Sequence, residues 1–363
     1  MASWLPAFLR RPAAPPPSSL LPTFLRRLAE PSVRTVLLAG CGGGFDFLHA
    51  MLLYPELKRL GKKIVISSYS FGEPGKIKGE APIVFSEQKA VVRRVSASCV
   101  ADPHYGPEVH LCSFLDERFP QEAPHHIDAS YARAFTAPTL GRYLRQLVAE
   151  HAVDAVVLLD GGSDSLMVGD EEGLGDPIED AVSIAAVAGL AAPALKILVS
   201  VGLGADRFNH VSDAASLRAI AELTRLGGAL GALVMEADSE AARFYGAAVA
   251  HIYARQTFRS VLTATILGSI AGAFGADAPP PEAGHRVKAG DVYLWPLMSM
   301  LWAFDVNTVA ARSQTVRWIA SCESMHDCYD AIVQGRNSLA SGIRPVEELP
   351  RHVDFRNRSG RFL

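Results

Sequence analysis

Asp160 and Asp164 have the residue type and the spacing that carboxylate chemistry needs. Only two glycines and a serine separate them, so little side-chain bulk lies between the two carboxylates. Such a pair can act as general acid and base, because the charge of one holds a proton on the other, or both can ligate a cation such as Mg²⁺. The sequence predicts both residues as catalytic groups and metal ligands. A structural alternative, in which both only hydrogen-bond the turn, stays open.

The loop after Asp164 is rich in further acids. Asp170 and Glu171 are predicted to contribute to the same metal site. Three more acids precede the apolar run 181–192, where acids and a proline in the first helical turn favour a helix start. We assign these three mainly to helix capping: Asp176, Glu179 and Asp180.

A near-continuous apolar run, residues 153–159, leads into Asp160 and predicts a strand buried on both faces. Residues 33–39 and 195–201 have the same pattern, and each run ends in glycines followed by polar residues. In open parallel sheets, ligands bind beyond the carboxyl ends of the strands. We therefore expect the three strand ends to meet in one site, formed within residues 33–210.

The first strand end, from Gly40 to Asp46, is predicted to bind an anion. A helix from about residue 47 to residue 60 and a strand at 63–68 follow it, and the free N–H groups at a helix start attract phosphate or carboxylate. A nicotinamide site is matched only loosely, because Phe45 stands where the dinucleotide pattern has its third glycine. Tight packing is the structural alternative for the glycines, and helix capping is the alternative for Asp46.

The third strand end places Asp206, Asn209 and His210 after Gly202 and Gly204. We expect these polar residues to join the same site, with a turn-forming role as the alternative. The predicted substrate- or anion-binding residues are Gly42, Gly43, Gly44, Gly161, Gly162, Ser163, Gly202, Gly204 and Asn209. The predicted catalytic residues are Asp46, Asp160, Asp164 and His210.

The composition is that of a globular protein. Of 363 residues, 49% are hydrophobic and 20% are charged, and the formal net charge of -3 provides no basic field for nucleic acid. No run reaches the 18 or so apolar residues that a membrane helix needs. Five scattered cysteines predict a reducing compartment rather than a disulfide framework. We expect a cytoplasmic protein, and a homo-oligomer is compatible with the sequence.

The chain divides into an arm, a domain and a tail. Residues 1–31 form a basic, proline-rich arm with a repeated Leu-Pro-x-Phe-Leu-Arg-Arg pattern. Two short helices packed on the domain are predicted there, and an organelle transit peptide is the alternative. Residues 32–345 are predicted as a single α/β domain, in which residues 235–330 form a helical cover with a buried helix within 294–305. Residues 346–363 form a charged tail.

Four segments resemble the conserved family known as domain of unknown function 1152. They are Ala-Gly-Cys-Gly-Gly-Gly-Phe-Asp at 39–46, Asp-Gly-Gly-Ser-Asp-Ser-Leu-Met-Val-Gly-Asp-Glu at 160–171, Gly-Leu-Gly at 202–204 and Trp-Pro-Leu-Met at 295–298. The resemblance spans roughly residues 32–329. It implies a conserved α/β fold with a site, and it brings no assigned reaction.

These features predict a Rossmann-like α/β fold with a mainly parallel sheet, helices on both faces and a helical C-terminal part. The predicted function is that of an enzyme acting on a small polar or anionic metabolite, such as an amino acid or a phosphorylated compound, with Mg²⁺ as the candidate cofactor. A hydrolase, a lyase and a transferase are not distinguished. A nucleotide- or nicotinamide-binding enzyme and a non-catalytic binding or assembly protein are the alternatives.

Overall fold

Nine strands form one sheet in the computed structural model of the protein, which describes residues 20–275, 292–346 and 349. The strands are β1 (Thr35–Gly40), β2 (Lys63–Ser70), β3 (Ile83–Glu87), β4 (Ala90–Val95), β5 (Ile127–Tyr131), β6 (Ala155–Asp160), β7 (Leu195–Val201), β8 (Ala229–Val234) and β9 (Met300–Asp305). Their order across the sheet is β3-β4-β5-β2-β1-β6-β7-β9-β8.

The five central strands, β5-β2-β1-β6-β7, are parallel. Only β4 and β9 run against their neighbours, so the outermost strands β3 and β8 point the same way as the central five. When only the five central strands are numbered along the chain, their order across the sheet is 3-2-1-4-5. This is the strand order of Rossmann-like folds. The predicted α/β class and the mainly parallel sheet are therefore confirmed.

Helices cover both faces of this sheet. They are α1 (Thr23–Ala29), α2 (Tyr54–Arg59), α3 (Pro107–Arg118), α4 (Ala137–His151), α5 (Pro177–Ala188), α6 (Asp213–Arg225), α7 (Glu240–Tyr253), α8 (Val261–Ile270), α9 (Val306–Arg312), α10 (Gln314–Ile319) and α11 (Met325–Asn337). Short 3-10 segments follow the carboxyl ends of β1, β6 and β7, at Asp46–Leu52, Asp164–Leu166 and Ala205–Asn209.

Two hydrophobic cores lie on opposite faces of the sheet, because neighbouring residues of a strand point to opposite sides. In β1, Val36 and Leu38 pack with α2, α3 and α7. Leu37 and Ala39 pack on the other face with α4, α5 and α6. Strands β1 and β6 are buried along their whole length, as expected for parallel strands covered on both sides.

The C-terminal part is largely helical, but the predicted helix within 294–305 is wrong. That run contains the 3-10 segment Pro296–Ser299 and strand β9. Strand β9 pairs with β7 on one side and with β8 on the other, which satisfies its backbone polar groups within the sheet. A short apolar run does not by itself distinguish a buried strand from a buried helix, and pairing on both sides decides here.

The segment 71–131 holds β3, β4, α3 and β5. Strand β5 matters most for the fold, because it pairs with β2 and completes the parallel centre of the sheet. Its five residues, Ile-Asp-Ala-Ser-Tyr, do alternate apolar and polar as a strand requires, but the run is short.

The second copy of the N-terminal repeat forms α1, whose Phe24 and Leu28 are fully buried in the first core. This packing agrees with the prediction that the arm lies on the domain. The first copy of the repeat and most of the C-terminal tail lie outside the described residues. Among the described helices, none is both long enough and apolar enough to cross a membrane, as the sequence predicted.

Phe304→Ala tests the assignment of β9 to the core. Phe304 is 1% exposed, and truncation of a buried phenylalanine should lower the free energy of unfolding by about 3–5 kcal/mol. Val234→Ala in the neighbouring strand β8 is the control, because Val234 is 57% exposed and should change stability by about 0.5 kcal/mol or less. Guanidinium denaturation measures both variants, and equal small effects would contradict the buried position of β9.

Candidate functional site

The carboxyl ends of β1 and β6 form the topological switch point of the sheet. The chain leaves β1 towards β2 on one side, and it leaves β6 towards β7 on the other side. Because the two connections diverge, a crevice opens between them, and open α/β sheets bind ligands at this point. The turns after β1 and β6 are two of the three strand ends that the sequence singled out.

A cavity of about 210 Å³ lies at this switch point. The lining aspartates are Asp46, Asp160, Asp164, Asp176, Asp180 and Asp206. No lysine or arginine is among the described residues that line it. The cavity is therefore small and strongly acidic.

Asp160, Asp164 and Asp180 form the tightest group of these acids. One carboxylate oxygen of each lies within 4.8 Å of the other two. Asp160 is the last residue of β6, Asp164 begins the 3-10 segment after it, and Asp180 lies in the first turn of α5. Oδ2 of Asp180 is buried and has no hydrogen-bond partner in the described part of the chain. Three oxygens this close are a donor set suited to a divalent cation.

Asp46 and Asp206 flank this group and are oriented by the turn after β6. The N–H of Gly161 donates to Oδ1 of Asp46 at 3.3 Å. The N–H of Ser163 donates to Oδ2 of Asp206 at 2.6 Å. The turn after β6 thus links acids from the turns after β1 and β7, and the three strand ends meet at one place.

Burial and mutual repulsion raise the pKa values of these carboxyls. For four of them burial is the largest cause, neighbouring aspartate charges add to it, and the pKa lies well above the usual range. These four are Asp46, Asp160, Asp180 and Asp206. Burial also raises the pKa of Asp164. Carboxyls in this condition retain protons at a pH where ordinary aspartates are ionised, unless a cation takes the place of the protons.

Glycines give these carboxylates the room they occupy. A Cβ at Gly162 would lie 2.1 Å from Oδ2 of Asp206, and a Cβ at Gly42 would lie 2.0 Å from Oδ1 of Asp180. Gly42 also has a φ of 96°, which disfavours other residues. These two glycines, predicted from the sequence to bind an anion, therefore sit directly against acidic side chains.

Aromatic side chains and the start of α8 form the other walls of the cavity. The aromatic residues are Phe45, Phe71, Phe208 and Phe258. The ring of Phe258 stacks on Phe45 with 5.9 Å between centroids, and the ring of Phe71 covers Gly43, where a Cβ would lie 2.3 Å from it. Sequence reasoning did not place these rings in the site, because an isolated phenylalanine has no pattern that separates a site wall from a core position.

Several predicted site residues lie away from the acidic cavity. Asp170 and Glu171 both accept hydrogen bonds from Arg344, at 2.6 and 2.8 Å, so one arginine is shared between them. His210 lines a separate cavity of about 750 Å³, and Asn209 lines both cavities. The other predicted residues that do not line the acidic cavity are Gly42, Gly162, Ser163, Gly202 and Gly204.

The predicted residues that the structure does bring together in the cavity lining are Asp46, Asp160, Asp164, Gly43, Gly44, Gly161 and Asn209. Two further acids, Asp176 and Asp180, had been assigned mainly to helix capping. Helix α5 begins at Pro177 as expected, but the side chain of Asp176 makes no capping hydrogen bond, and both acids line the cavity. Asp176 is the N-cap residue and Asp180 lies in the first turn of α5, as the capping interpretation placed them, and both also line the cavity because this turn faces the strand ends.

The family model described as "Protein of unknown function (DUF1152)" matches residues 134–335, which is more than half of the 363 residues. The chain belongs to the DUF1152 family. No curated protein and no solved structure gave a significant match. The DUF1152 match contains Asp160, Asp164, Asp180 and Asp206 together with α8, and it begins after the glycine turn that follows β1.

Asp180→Asn should stabilise the metal-free protein, increasingly so as the pH rises. The raised pKa values mean that the folded protein holds protons which the unfolded chain, with aspartate pKa near 3.9, releases. Their contribution to stability is full below about pH 4 and is lost as the pH rises through the folded-state pKa values. Removal of one charge should raise the free energy of unfolding at pH 8 by about 1 kcal/mol or more.

Chemical denaturation between pH 5 and about pH 8 measures this difference in the presence of a chelator. The matched control is Asp170→Asn, which removes an acid bound by Arg344 and should give no gain in stability. A destabilised Asp180→Asn at high pH would show that the carboxylate is favourably held, contrary to the expected repulsion.

Proposed function

We propose that the protein is an enzyme that binds a divalent cation, most simply Mg²⁺, and acts on a small anionic metabolite at the switch point. The observation that carries the proposal is that six aspartates line one small cavity. No lysine, arginine or histidine occurs among the residues described in its lining. Carboxylates buried at this density repel one another, and protons or a cation must offset that repulsion. Acids with perturbed pKa values in a strand-end cavity are also typical of catalytic sites.

The donor set favours a hard cation. Carboxylate oxygens suit Mg²⁺ and Ca²⁺, and Mg²⁺ usually combines one or two protein carboxylates with waters and substrate phosphates. Asp160, Asp164 and Asp180 offer such oxygens within 4.8 Å of one another. Histidine and cysteine, the usual zinc ligands, do not occur among the described lining residues.

Size and charge favour a small metabolite over a dinucleotide. The cavity of about 210 Å³ is smaller than the ~300–1,000 Å³ that enclose drug-sized ligands. A pyrophosphate placed directly on the glycine turn would also face Asp46 and Asp180. An anionic group therefore needs the cation as a bridge, which supports a metal-assisted reaction more than nicotinamide chemistry.

The residues of the site supply distinct parts of such chemistry. When bound, the cation would polarise a substrate oxygen or lower the pKa of a water. Asp46 and Asp206, oriented by backbone donors, can exchange a proton with the reacting group as general acid or base. Phe71 and Phe258 form an apolar part of the cavity wall. This arrangement is compatible with hydrolysis, elimination and group transfer.

Mg²⁺ and Mn²⁺ should stabilise the wild-type protein, and Asp160→Asn should abolish the effect. A ligand present at 100 times its Kd that binds only the folded state raises the free energy of unfolding by about 2.7 kcal/mol, which for a chain of this size is a shift in Tm of a few degrees or less. Asp160→Asn removes one charge from the donor set with little change in shape. Calorimetric titration gives the Kd of each variant.

Asp170→Asn is the matched control and should bind metal like the wild type. Equal metal binding by wild type and Asp160→Asn would contradict the proposed site, and loss of binding in Asp170→Asn alone would place the ion at Asp170 and Glu171. With Mg²⁺ bound, a screen of phosphorylated compounds and amino acids for product formation separates an enzyme from a non-catalytic binding protein.

A further inference from the structure

We infer that the N-terminus of α8 is the anion subsite of the acidic cavity, where it holds a phosphoryl group of the substrate against the cation. The inference rests on the proposed function and narrows the substrate class to small phosphorylated compounds. It places the anion at the start of α8 and not on the glycine turn after β1, where the sequence predicted it.

Two backbone donors at the start of α8 have no acceptor among the residues that the structure describes. Ser260 is the N-cap, and its hydroxyl accepts the N–H of Thr263 at 3.2 Å. The amides of Val261 and Leu262 precede the first hydrogen bond of the helix, and no acceptor for them occurs in the described chain. Val261 is 3% exposed and lines the cavity, as do Ser260 and Leu262. Buried N–H groups require a partner, and the helix dipole favours a negative one.

A second, independent feature of the same cavity also indicates a ligand. Asp180 is 5% exposed, and its Oδ2 is buried without a hydrogen-bond partner among the described residues. An unpaired carboxylate oxygen favours a cation, whereas unpaired amides favour an anion. A cation that carries a phosphate satisfies both, because Mg²⁺ commonly bridges protein carboxylates and substrate phosphates.

The glycine turn after β1 is a less favourable place for an anion than the start of α8. The amide of Gly42 already donates to the hydroxyl of Ser183 at 3.3 Å. Asp180 approaches Gly42 closely, and the ring of Phe71 covers Gly43. An anion there would meet a carboxylate and an aromatic ring, whereas at α8 it meets unpaired donors.

Two pairs of substitutions test the subsite, one through charge and one through the number of donors. Ser260→Asp keeps a good N-cap but adds a negative charge, and Ser260→Asn is the neutral control of nearly the same shape. Val261→Pro removes one N–H at the first helical position, where proline is tolerated and where the extended Ser260 permits it. Val261→Ala is its control.

The readout is calorimetric titration of the full chain with inorganic phosphate at saturating Mg²⁺. Ser260→Asp should bind phosphate at least about tenfold more weakly than Ser260→Asn, which is about 1.4 kcal/mol. Val261→Pro should lose about tenfold relative to Val261→Ala, because one hydrogen bond to a charged group is removed. Mg²⁺ binding without phosphate should not weaken in any of the four variants.

The other outcomes show whether the subsite or the proposed function is wrong. Unchanged phosphate affinity in both test variants, with Mg²⁺ still bound, overturns the subsite and leaves the metal site standing. Acetate that binds as tightly as phosphate overturns the phosphoryl assignment. Absence of Mg²⁺ binding in the wild type contradicts the proposed function, and the same phosphate comparison without metal then decides the subsite. Circular dichroism checks folding, and the Ser260 pair decides if Val261→Pro does not fold.

Discussion

Repulsion among buried aspartates at the switch point is the constraint to which the surrounding structure is fitted. Two buried or partly buried acids outside the cavity pair with arginine: Asp128 pairs with Arg94 at 2.7 Å, and Asp170 pairs with Arg344 at 2.6 Å. Around the acidic cavity it uses backbone N–H groups, glycines and a helix N-terminus instead. The backbone donors reduce the repulsion without cancelling the charge, which is compatible with the proposed cation site.

The sequence predicted the strand-end aspartates of this site, but not the residues of α5 and α8 that surround them. Asp46 could be found because it follows an apolar strand and a glycine turn, and Asp160 because it ends an apolar strand just before two glycines. Both patterns depend only on neighbouring residues. Asp180 was not predicted as a site residue, since acids in a first helical turn have a sufficient local explanation in the helix dipole. Its role depends on how α5 is oriented towards β1 and β6, which is a tertiary property.

The wall formed by α8 was beyond sequence reasoning for a different reason. Its unpaired groups are backbone amides, which every residue except proline carries, so no residue type at Val261 or Leu262 signals an anion site. Strand β9 illustrates the same limit at the level of the fold. An apolar run is compatible with a helix or a strand, and its pairing with β7 and β8 decides between them. Patterns therefore identified four of the five central parallel strands, and packing determined the antiparallel strand β9 and the α8 wall.

The two kinds of unpaired group in the cavity have a thermodynamic consequence for the proposed reaction. A cation at Asp160, Asp164 and Asp180 would remove the negative potential that an approaching phosphate meets, and a phosphate at α8 would supply the cation with further oxygen ligands. Each ligand then raises the affinity for the other, and by linkage the two effects are equal. A site built in this way selects a metal-bound phosphorylated compound over either component alone, because only the pair satisfies the carboxylates and the amides together.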